Sequence, residues 1–208
     1  MIRKAFSAAA PAVLLVLMAA CSSEPPAKKE AAAKKEPEKV EPVGALKAFY
    51  QVYPMARQWS SDIEVLTVSE IRMASVKAEP GLAPAWKVTF VSPSKQRQRD
   101  FIYSVVKAEG LEKGNQMGRD DGYSQRGQQR TFRTQALKID SPAAYKTALE
   151  KGAEYAKKNP DKPITFLLES TTQLQNPAWR VIWGESVTTS NFSIYVDASS
   201  GEYVKTMR

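Results

Sequence analysis

Apolar and polar residues alternate with a period of two in two nearly identical stretches of the chain, PAWKVTF at positions 84–90 and PAWRVIW at positions 177–183. This is the period of a β-strand with one buried face. The residues expected on the buried faces are Trp86, Val88 and Phe90 in the first stretch, and Trp179, Val181 and Trp183 in the second. Both stretches are therefore predicted to be strands whose tryptophans pack in a hydrophobic core.

Each of these strands is followed by a polar turn and a second strand, FIYSVV from Phe101 and FSIYVD from Phe192. An apolar stripe with helical spacing lies upstream of each strand. The two stripes contain Ala45, Ala48, Phe49, Val52 and Ala56, and Tyr145, Ala148, Leu149, Gly152 and Ala156. Ser141 is a natural N-cap for the second helix. A further apolar run follows each stripe, DIEVLTVSEIRMASV and PITFLLESTTQL, and is predicted to be a strand.

Two segments of the chain thus share one order of elements, a helix followed by three strands. The predicted fold class is α+β, with two repeats of a helix followed by an antiparallel three- to four-stranded meander, and with the helix packed on one sheet face. The repeats are placed at residues 45–112 and 131–208. Residues 113–130 are rich in Gly and Gln and have no counterpart in the second half, so they are interpreted as a connection.

The N-terminal residues 1–20 have the pattern of an export signal. Arg3 and Lys4 precede an apolar run that is shorter than the roughly 20 residues of a membrane-spanning helix. The next residue, Cys21, is the only cysteine, and the run LMAAC resembles the lipobox of bacterial lipoproteins, which implies acylation of the thiol. The alternative is an ordinary signal peptide followed by an unpaired cysteine. Residues 21–44 are interpreted as the lipidated cysteine and a flexible charged tether, because they offer little to bury.

The stretch FSIYVDASSGEYV near the C-terminus predicts a hairpin. Asp197 is expected to accept hydrogen bonds from the backbone of the turn, and Gly201 to take a positive φ. With Val196, Ala198 and Glu202, these residues resemble the Val-Asp-Ala-x-x-Gly-Glu ending of PepSY domains, which are small exported modules. The first half resembles that family less, because VVKAEG lacks the aspartate. The resemblance implies a helix before an antiparallel sheet and a binding or regulatory role, since some members are described as inhibitors of thermolysin-like peptidases.

The sequence contains no histidine, which excludes His-activated nucleophiles and imidazole metal sites. Ser92 and Lys95 have the spacing of serine-lysine enzymes, but they lie in a predicted hairpin loop instead of one helical turn apart. Asp120 and Asp121 lack the alternating oxygen ligands of a calcium loop. We therefore expect a protein that is not an enzyme and that uses neither a cofactor nor a metal ion.

The chain carries a net charge of +8, and two of these charges lie in the signal segment. Basic residues concentrate around one predicted hairpin and in the stretch after it: Lys95, Arg97, Arg99, Arg119, Arg126, Arg130 and Arg133. They are candidates for contact with an anionic partner, and the alternative is a solvated loop. For an exported chain this partner is expected to be an envelope protein or an anionic polymer and not nucleic acid.

These features predict a non-enzymatic lipoprotein of the cell envelope, exported and attached to a bacterial membrane through its N-terminal lipid, facing the periplasm. In this hypothesis, PepSY-like repeats bind or regulate another envelope component, either by restraining a peptidase or by supporting an assembly. The alternative hypothesis is a structural tether that holds an anionic envelope polymer or a membrane complex by charge.

Overall fold

The computed structural model of the chain describes residues 40–77, 79–108, 110–125 and 127–208. The predicted export signal, Cys21, most of the predicted tether and Arg126 lie outside these residues. The described residues belong to the unit Lys39–Arg208. Within these ranges no helix combines the length and the apolar character that crossing a membrane requires.

The described chain contains two α-helices, α1 at Ala45–Trp59 and α2 at Ser141–Lys158. Its strands are β1 Glu64–Ile71, β2 Ala85–Ser92, β3 Arg97–Ser104, β4 Gly114–Gly122, β5 Gln129–Arg130, β6 Ile164–Thr171, β7 Ala178–Trp183, β8 Ser193–Asp197 and β9 Tyr203–Met207. A short 3-10 helix at Thr134–Ala136 precedes α2. All strands belong to one sheet in the order β4-β3-β2-β1-β6-β7-β8-β9, and β5 pairs with β6 beside this path.

The fold class predicted from the sequence, two repeats that each place a helix on a meander of their own, is wrong. The structure is mostly one nine-stranded antiparallel sheet with two helices. β1 pairs with β2 on one side and with β6 on the other, where Thr67 lies opposite Glu169 and Ser69 opposite Leu167. This pairing satisfies backbone N–H and C=O groups that two separate sheets would leave unpaired along their edges.

The stretch between β3 and α2 contributes to the sheet at two places. Residues 114–122, part of the predicted connection, form the edge strand β4, which pairs with β3. Further on, β5 pairs with the end of β6, and Phe132 exchanges two backbone hydrogen bonds with Val65 of β1, at 2.8 and 2.9 Å. The Phe132 ring is buried. This segment therefore fills the gap between β1 and β6 where their own pairing ends.

Both helices cover the same face of the sheet, because their buried residues belong to one hydrophobic core. At its centre the rings of Trp86 and Trp179 pack edge to face, with centroids 6.2 Å apart. The Trp86 Nε1–H donates to the Val43 backbone O at 2.7 Å, and the Trp179 Nε1–H donates to the Ile139 backbone O at 2.8 Å. The predicted burial of both alternating faces is confirmed, since none of their six side chains is more than 1 % exposed.

The first turns of the two helices meet. Gly44, the N-cap of α1, has no side chain to bond the free backbone N–H groups of the first turn. Residues at the start of α2 bond them instead: Ser141 Oγ accepts from the Ala45 N–H at 3.0 Å, and Asp140 Oδ1 accepts from the Leu46 N–H at 2.9 Å. Asp140 is also the N-cap of α2, so Ser141, predicted as that cap, is the first helical residue.

Candidate functional site

A cavity of about 520 Å³ lies between α2 and the helix-covered face of the sheet, beside a loop whose described residues are 72–77 and 79–84. Most of its lining is apolar, with Met73 and Leu82 from the loop, Ile164 and Trp183 from the sheet, and Tyr145 from α2. Its volume is within the roughly 300–1,000 Å³ that small-molecule sites occupy. The cavity is therefore large enough for a ligand, and it was not predicted from the sequence.

An ion pair lies at the wall of this cavity. Glu70 of β1 is opposite Trp86 in the sheet, so its side chain is on the helix-covered face. Its carboxylate accepts hydrogen bonds from Arg72 Nε, at 2.8 Å, and from the backbone N–H of Phe166. The Arg72 guanidinium also donates to the backbone O of Ile164. The Glu70 side chain is 5 % exposed and that of Arg72 is 35 % exposed, so the guanidinium is the accessible member of the pair.

Burial raises the pKa of Glu70 above its ordinary value of 4.5, and the charge of Arg72 offsets only part of this effect. Glu70 was not among the site residues predicted from the sequence. A usable signal was present, because Glu70 follows Val68 by two residues and so shares its buried strand face. A carboxylate at an apolar position of a strand is seldom buried unless it is paired.

Replacing Glu70 with Gln is expected to remove one component of the pH dependence of stability. A raised pKa in the folded state means that Glu70 favours folding below its ordinary pKa of 4.5 and that this contribution is lost as the pH rises through the raised value. The free energy of unfolding of Glu70→Gln, minus that of the wild-type chain, should therefore become more positive between about pH 4 and pH 8. Urea unfolding across this range measures the difference, and a constant difference would contradict the prediction.

The loop that forms one wall of the cavity is held in place by hydrogen bonds. Ala83 exchanges two backbone hydrogen bonds with Val43, both at 3.0 Å, and the Gly81 carbonyl accepts from Ser141 Oγ at 2.7 Å. Gly81 has a φ of +82°, and a Cβ added there would lie 2.7 Å from the Pro142 Cα. A side chain at this position would push the loop away from α2. These bonds hold the wall against α2 and the residues before α1.

The other charged side chains that the described residues contribute to the cavity are Lys162 and Glu79. Lys162 Nζ donates to the Tyr155 hydroxyl at 2.8 Å and to Asn191 Oδ1 at 3.3 Å, and it lies 5.3 Å from the centre of the Tyr155 ring. Glu79 is exposed. The cavity therefore combines apolar walls with the Glu70–Arg72 ion pair, while the Lys162 ammonium bonds Tyr155 and Asn191 outside the cavity lining.

Three of the predicted basic residues, Lys95, Arg97 and Arg99, come together at the β3–β4 edge around Asp120. Asp120 accepts from Arg97 Nε at 2.9 Å and from Trp59 Nε1 at 3.1 Å, and Arg99 lies 3.1 Å from the same carboxylate. These partners, Arg97 first and then Trp59, hold the pKa of Asp120 below its usual range. Lys95 and Arg99 also lie over the Trp59 ring, 5.4 and 5.5 Å from its centre. One carboxylate thus balances one of the three positive charges, and the three side chains are held in place by Asp120 and Trp59.

Of the remaining predicted basic residues, Arg119 is next to Asp120 in β4 and so lies at the same edge, whereas Arg130 and Arg133 do not join this group. Arg130 belongs to β5, which β1 and β2 separate from β3, and it donates to the backbone O atoms of Gly127 and Gln129 at 3.0 and 2.8 Å. Arg119 and Arg133 are exposed. Arg126 lies outside the described residues. The seven residues therefore do not form one arginine-rich hairpin surface in the part of the chain that the structure describes.

Ser92 and Lys95, which have serine-lysine spacing, take part in a turn network. Ser92 Oγ donates to Asp62 Oδ1 at 2.8 Å, and Ser60 Oγ donates to the same oxygen at 2.7 Å. Lys95 Nζ donates to the backbone O of Trp59. The hydrogen bond from Ser60, followed by that from the Ser94 N–H, holds the pKa of Asp62 below its usual range. Across residues 40–77, 79–108, 110–125 and 127–208, no group of three acidic or cysteine side chains is placed to hold a metal ion.

The hairpin near the C-terminus has the predicted turn chemistry. Asp197 Oδ1 accepts from the backbone N–H groups of Ser199 and Ser200 at 2.7 and 2.9 Å, and Gly201 has a φ of +79°. The turn also contacts α2, since Thr147 Oγ1 donates to the Gly201 carbonyl at 3.0 Å. The bonds to Asp197 stabilise the turn between β8 and β9, and the bond from Thr147 holds the hairpin against α2.

A polar cluster lies on the face of the sheet opposite the helices. The Tyr195 hydroxyl donates to Glu169 Oε1 at 2.8 Å, and Arg180 Nε donates to Ser193 Oγ at 3.0 Å. Arg180 and Lys205 lie 5.4 and 5.2 Å from the centre of the Tyr195 ring. Burial, and then the hydrogen bond to Glu169, raise the pKa of Tyr195. These side chains cover one another, which explains how Tyr195 is buried on a face that lacks a helix.

Comparison with known proteins identifies no family for the chain. No family model matches it, and no curated protein matches it. A crystal structure of a protein from Clostridium difficile 630 that is provisionally named a lipoprotein matches with 12% identity and a TM-score of 0.38. The match covers 76% of this chain and 91% of that chain. A likeness at this level carries no argument about the function of this protein.

Proposed function

We propose that the chain is a non-enzymatic binding protein of a bacterial cell envelope. The observation that supports binding is the cavity beside α2, which has the size of a ligand site and a wall held by hydrogen bonds to Ser141 and Val43. It contains the fixed pair of Glu70 and Arg72 among apolar side chains. Ligand sites commonly have this combination of apolar walls and a few oriented polar groups.

In this proposal, the binding unit is attached to the membrane through an acylated Cys21 and faces the periplasm at the end of the tether formed by residues 21–44. The sequence around Cys21 and the preceding export signal support this attachment. The resemblance of the C-terminal hairpin to PepSY domains favours a regulatory role, such as restraining a peptidase or supporting an envelope assembly.

Metabolic labelling with a fatty-acid analogue tests the attachment. The wild-type chain is expected to take up the label and to fractionate with membranes. The Cys21→Ala variant should lose both the label and the membrane fraction, because it lacks the only thiol of the chain. Labelling that survives this substitution would overturn the lipid anchor.

Site-specific photo-crosslinking in intact envelopes tests whether the cavity is used. A photoreactive residue at Ala156 lines the cavity, and one at Ala153 is exposed on the same helix and is the matched control. We expect position 156 to form a discrete product that position 153 does not form. Identical products at both positions would contradict a binding role for the cavity.

The second candidate function is a tether that holds an anionic envelope polymer by charge. The exposed Arg119 and Arg133 and the positive net charge favour it. Such binding should weaken steeply as salt rises, because the Debye length falls from about 10 Å at 0.1 M to about 3 Å at 1 M. A specific ligand of an apolar cavity should be much less sensitive to salt.

A triple substitution of Arg97, Arg99 and Arg130 by Ala is expected to change association with anionic vesicles only a little. Asp120 and backbone carbonyls already bond these three side chains. The matched double variant, Arg119→Ala with Arg133→Ala, removes two exposed charges and should weaken any association more. Vesicle co-sedimentation at low and moderate salt measures both. Loss of association in the triple variant alone would favour the charge-based tether.

A further inference from the structure

We propose that the cavity beside α2 binds a single-chain amphiphile with an anionic head, such as a fatty acid or an alkyl phosphate. This inference rests on the proposed binding function and names its ligand class. Three features carry it: the shape of the cavity, the accessibility of Arg72 and the engagement of Glu70 by existing hydrogen bonds.

The shape of the cavity fits an elongated apolar body. Tyr145 and Ala156 of α2 both line it, and eleven residues of helix at 1.5 Å per residue separate them by about 16 Å. Met73, Leu82 and Trp183 line the same space from the loop and the sheet. Of the described α2 residues between Tyr145 and Ala156, none lines the cavity, so an alkyl chain reaching from one to the other would be buried against the loop and sheet side chains, and each buried CH₂ group adds to affinity.

The polar part of the cavity favours an anionic head over a cationic one. The Glu70 carboxylate is nearly inaccessible and is bonded by Arg72 and the Phe166 N–H, so it is a poor partner for a ligand cation. The Arg72 side chain is partly exposed, and a guanidinium carries more N–H donors than the two that bond Glu70 and the Ile164 carbonyl, so it can also bond a carboxylate or a phosphate. Lys162 and Glu79 also line the cavity, but the Lys162 Nζ bonds Tyr155 and Asn191, which lie outside the lining, and Glu79 is exposed, so the inference rests on Arg72.

The cavity wall is arranged so that little ordering has to accompany binding. The Val43–Ala83 pair, the bond from Ser141 to Gly81 and the bond from the Leu82 N–H to the Glu79 carbonyl, at 2.9 Å, hold the loop as it stands. Arg72 is likewise fixed by Glu70 and the Ile164 carbonyl. A preformed site retains more of its contact energy as affinity.

The test is calorimetric titration of the full chain carrying Cys21→Ser, so that no acyl chain of its own competes. The probes are laurate, dodecyl phosphate, the uncharged lauryl alcohol and the cationic dodecyltrimethylammonium. Laurate or dodecyl phosphate is expected to bind at one site, and more tightly than the alcohol and the cation. The anion that binds more tightly shows whether the natural ligand has a carboxylate or a phosphate head. All variants share residues 1–44, so binding to that segment cancels between them.

Two pairs of variants place the ligand. Ala156→Phe fills the cavity and should weaken laurate binding at least about ten-fold, whereas Ala153→Phe, exposed on the same helix, should leave it unchanged. Arg72→Met should weaken laurate about ten-fold without affecting lauryl alcohol, and Arg72→Lys, which keeps the charge but not the planar fork, should weaken laurate less than Arg72→Met does. Circular dichroism confirms that each variant is folded.

Equal affinity for laurate and dodecyltrimethylammonium would overturn the proposal, as would equal effects of Ala156→Phe and Ala153→Phe or a lack of binding by any probe. If these titrations fail but Cys21 is labelled and position 156 crosslinks to an envelope protein, the proposed binding function stands and only the ligand class is wrong. Laurate binding without acylation of Cys21 would instead overturn the lipid anchor alone.

Discussion

The substitution Trp179→Ala is expected to lower the free energy of unfolding by about 3–5 kcal/mol, the range for removing a large aromatic side chain from a core. The Trp179 side chain is fully buried and packs edge to face against Trp86. Its Nε1–H satisfies the Ile139 carbonyl next to the start of α2. The change therefore opens a cavity and leaves a backbone acceptor unbonded beneath the helix.

Urea unfolding monitored by circular dichroism measures this loss. Trp179→Phe separates the two causes, since it keeps an aromatic ring but removes the hydrogen bond to Ile139, and it should cost less than Trp179→Ala. Tyr50→Ala is the control, because Tyr50 is 61 % exposed and its removal should change stability by no more than about 0.5 kcal/mol. Equal effects at Trp179 and Tyr50 would contradict the central position of the tryptophan.

The short-range pattern of the sequence predicted individual elements well. The alternation in PAWKVTF and PAWRVIW placed Trp86 and Trp179 in the core, and the spacing around Asp197 and Gly201 predicted the last turn. These features depend on residues that are close along the chain, so the sequence itself shows the hydrophobic period and the turn-forming residues. The prediction of α2 was also close, although its cap is Asp140 and not Ser141.

The sequence did not predict how the strands join. Pairing of β1 with β6 brings together residues about a hundred positions apart, and both strands carry apolar residues on each face near the contact, such as Leu167 and Leu168. Alternation alone does not identify the neighbour of a strand. β4 was missed because its sequence, GNQMGRDDG, has no apolar alternation and owes its pairing to the adjacent β3.

The candidate site could not be predicted from the sequence for a related reason. The basic residues stood out in the sequence, but the carboxylate that pairs with Arg97 and Arg99, Asp120, lies opposite Arg99 only once β3 and β4 pair. Glu70 and Arg72 are two positions apart in an apolar run and gain significance only when the loop of residues 72–84 and α2 enclose them. A cavity is a property of packing between distant segments, so composition and spacing do not reveal it.

The second large effect is expected at the joint between the helices, where Ser141→Ala should lower the free energy of unfolding by about 2–4 kcal/mol. The buried Ser141 hydroxyl accepts from the Ala45 N–H and donates to the Gly81 carbonyl, so one change leaves two buried backbone groups unbonded. Ser75→Ala, exposed in the same loop, is the matched control and should have little effect. Urea unfolding measures both. Because Gly81 belongs to the cavity loop, Ser141→Ala should also increase hydrogen exchange at Leu82, and unchanged stability and exchange would contradict this role of the joint.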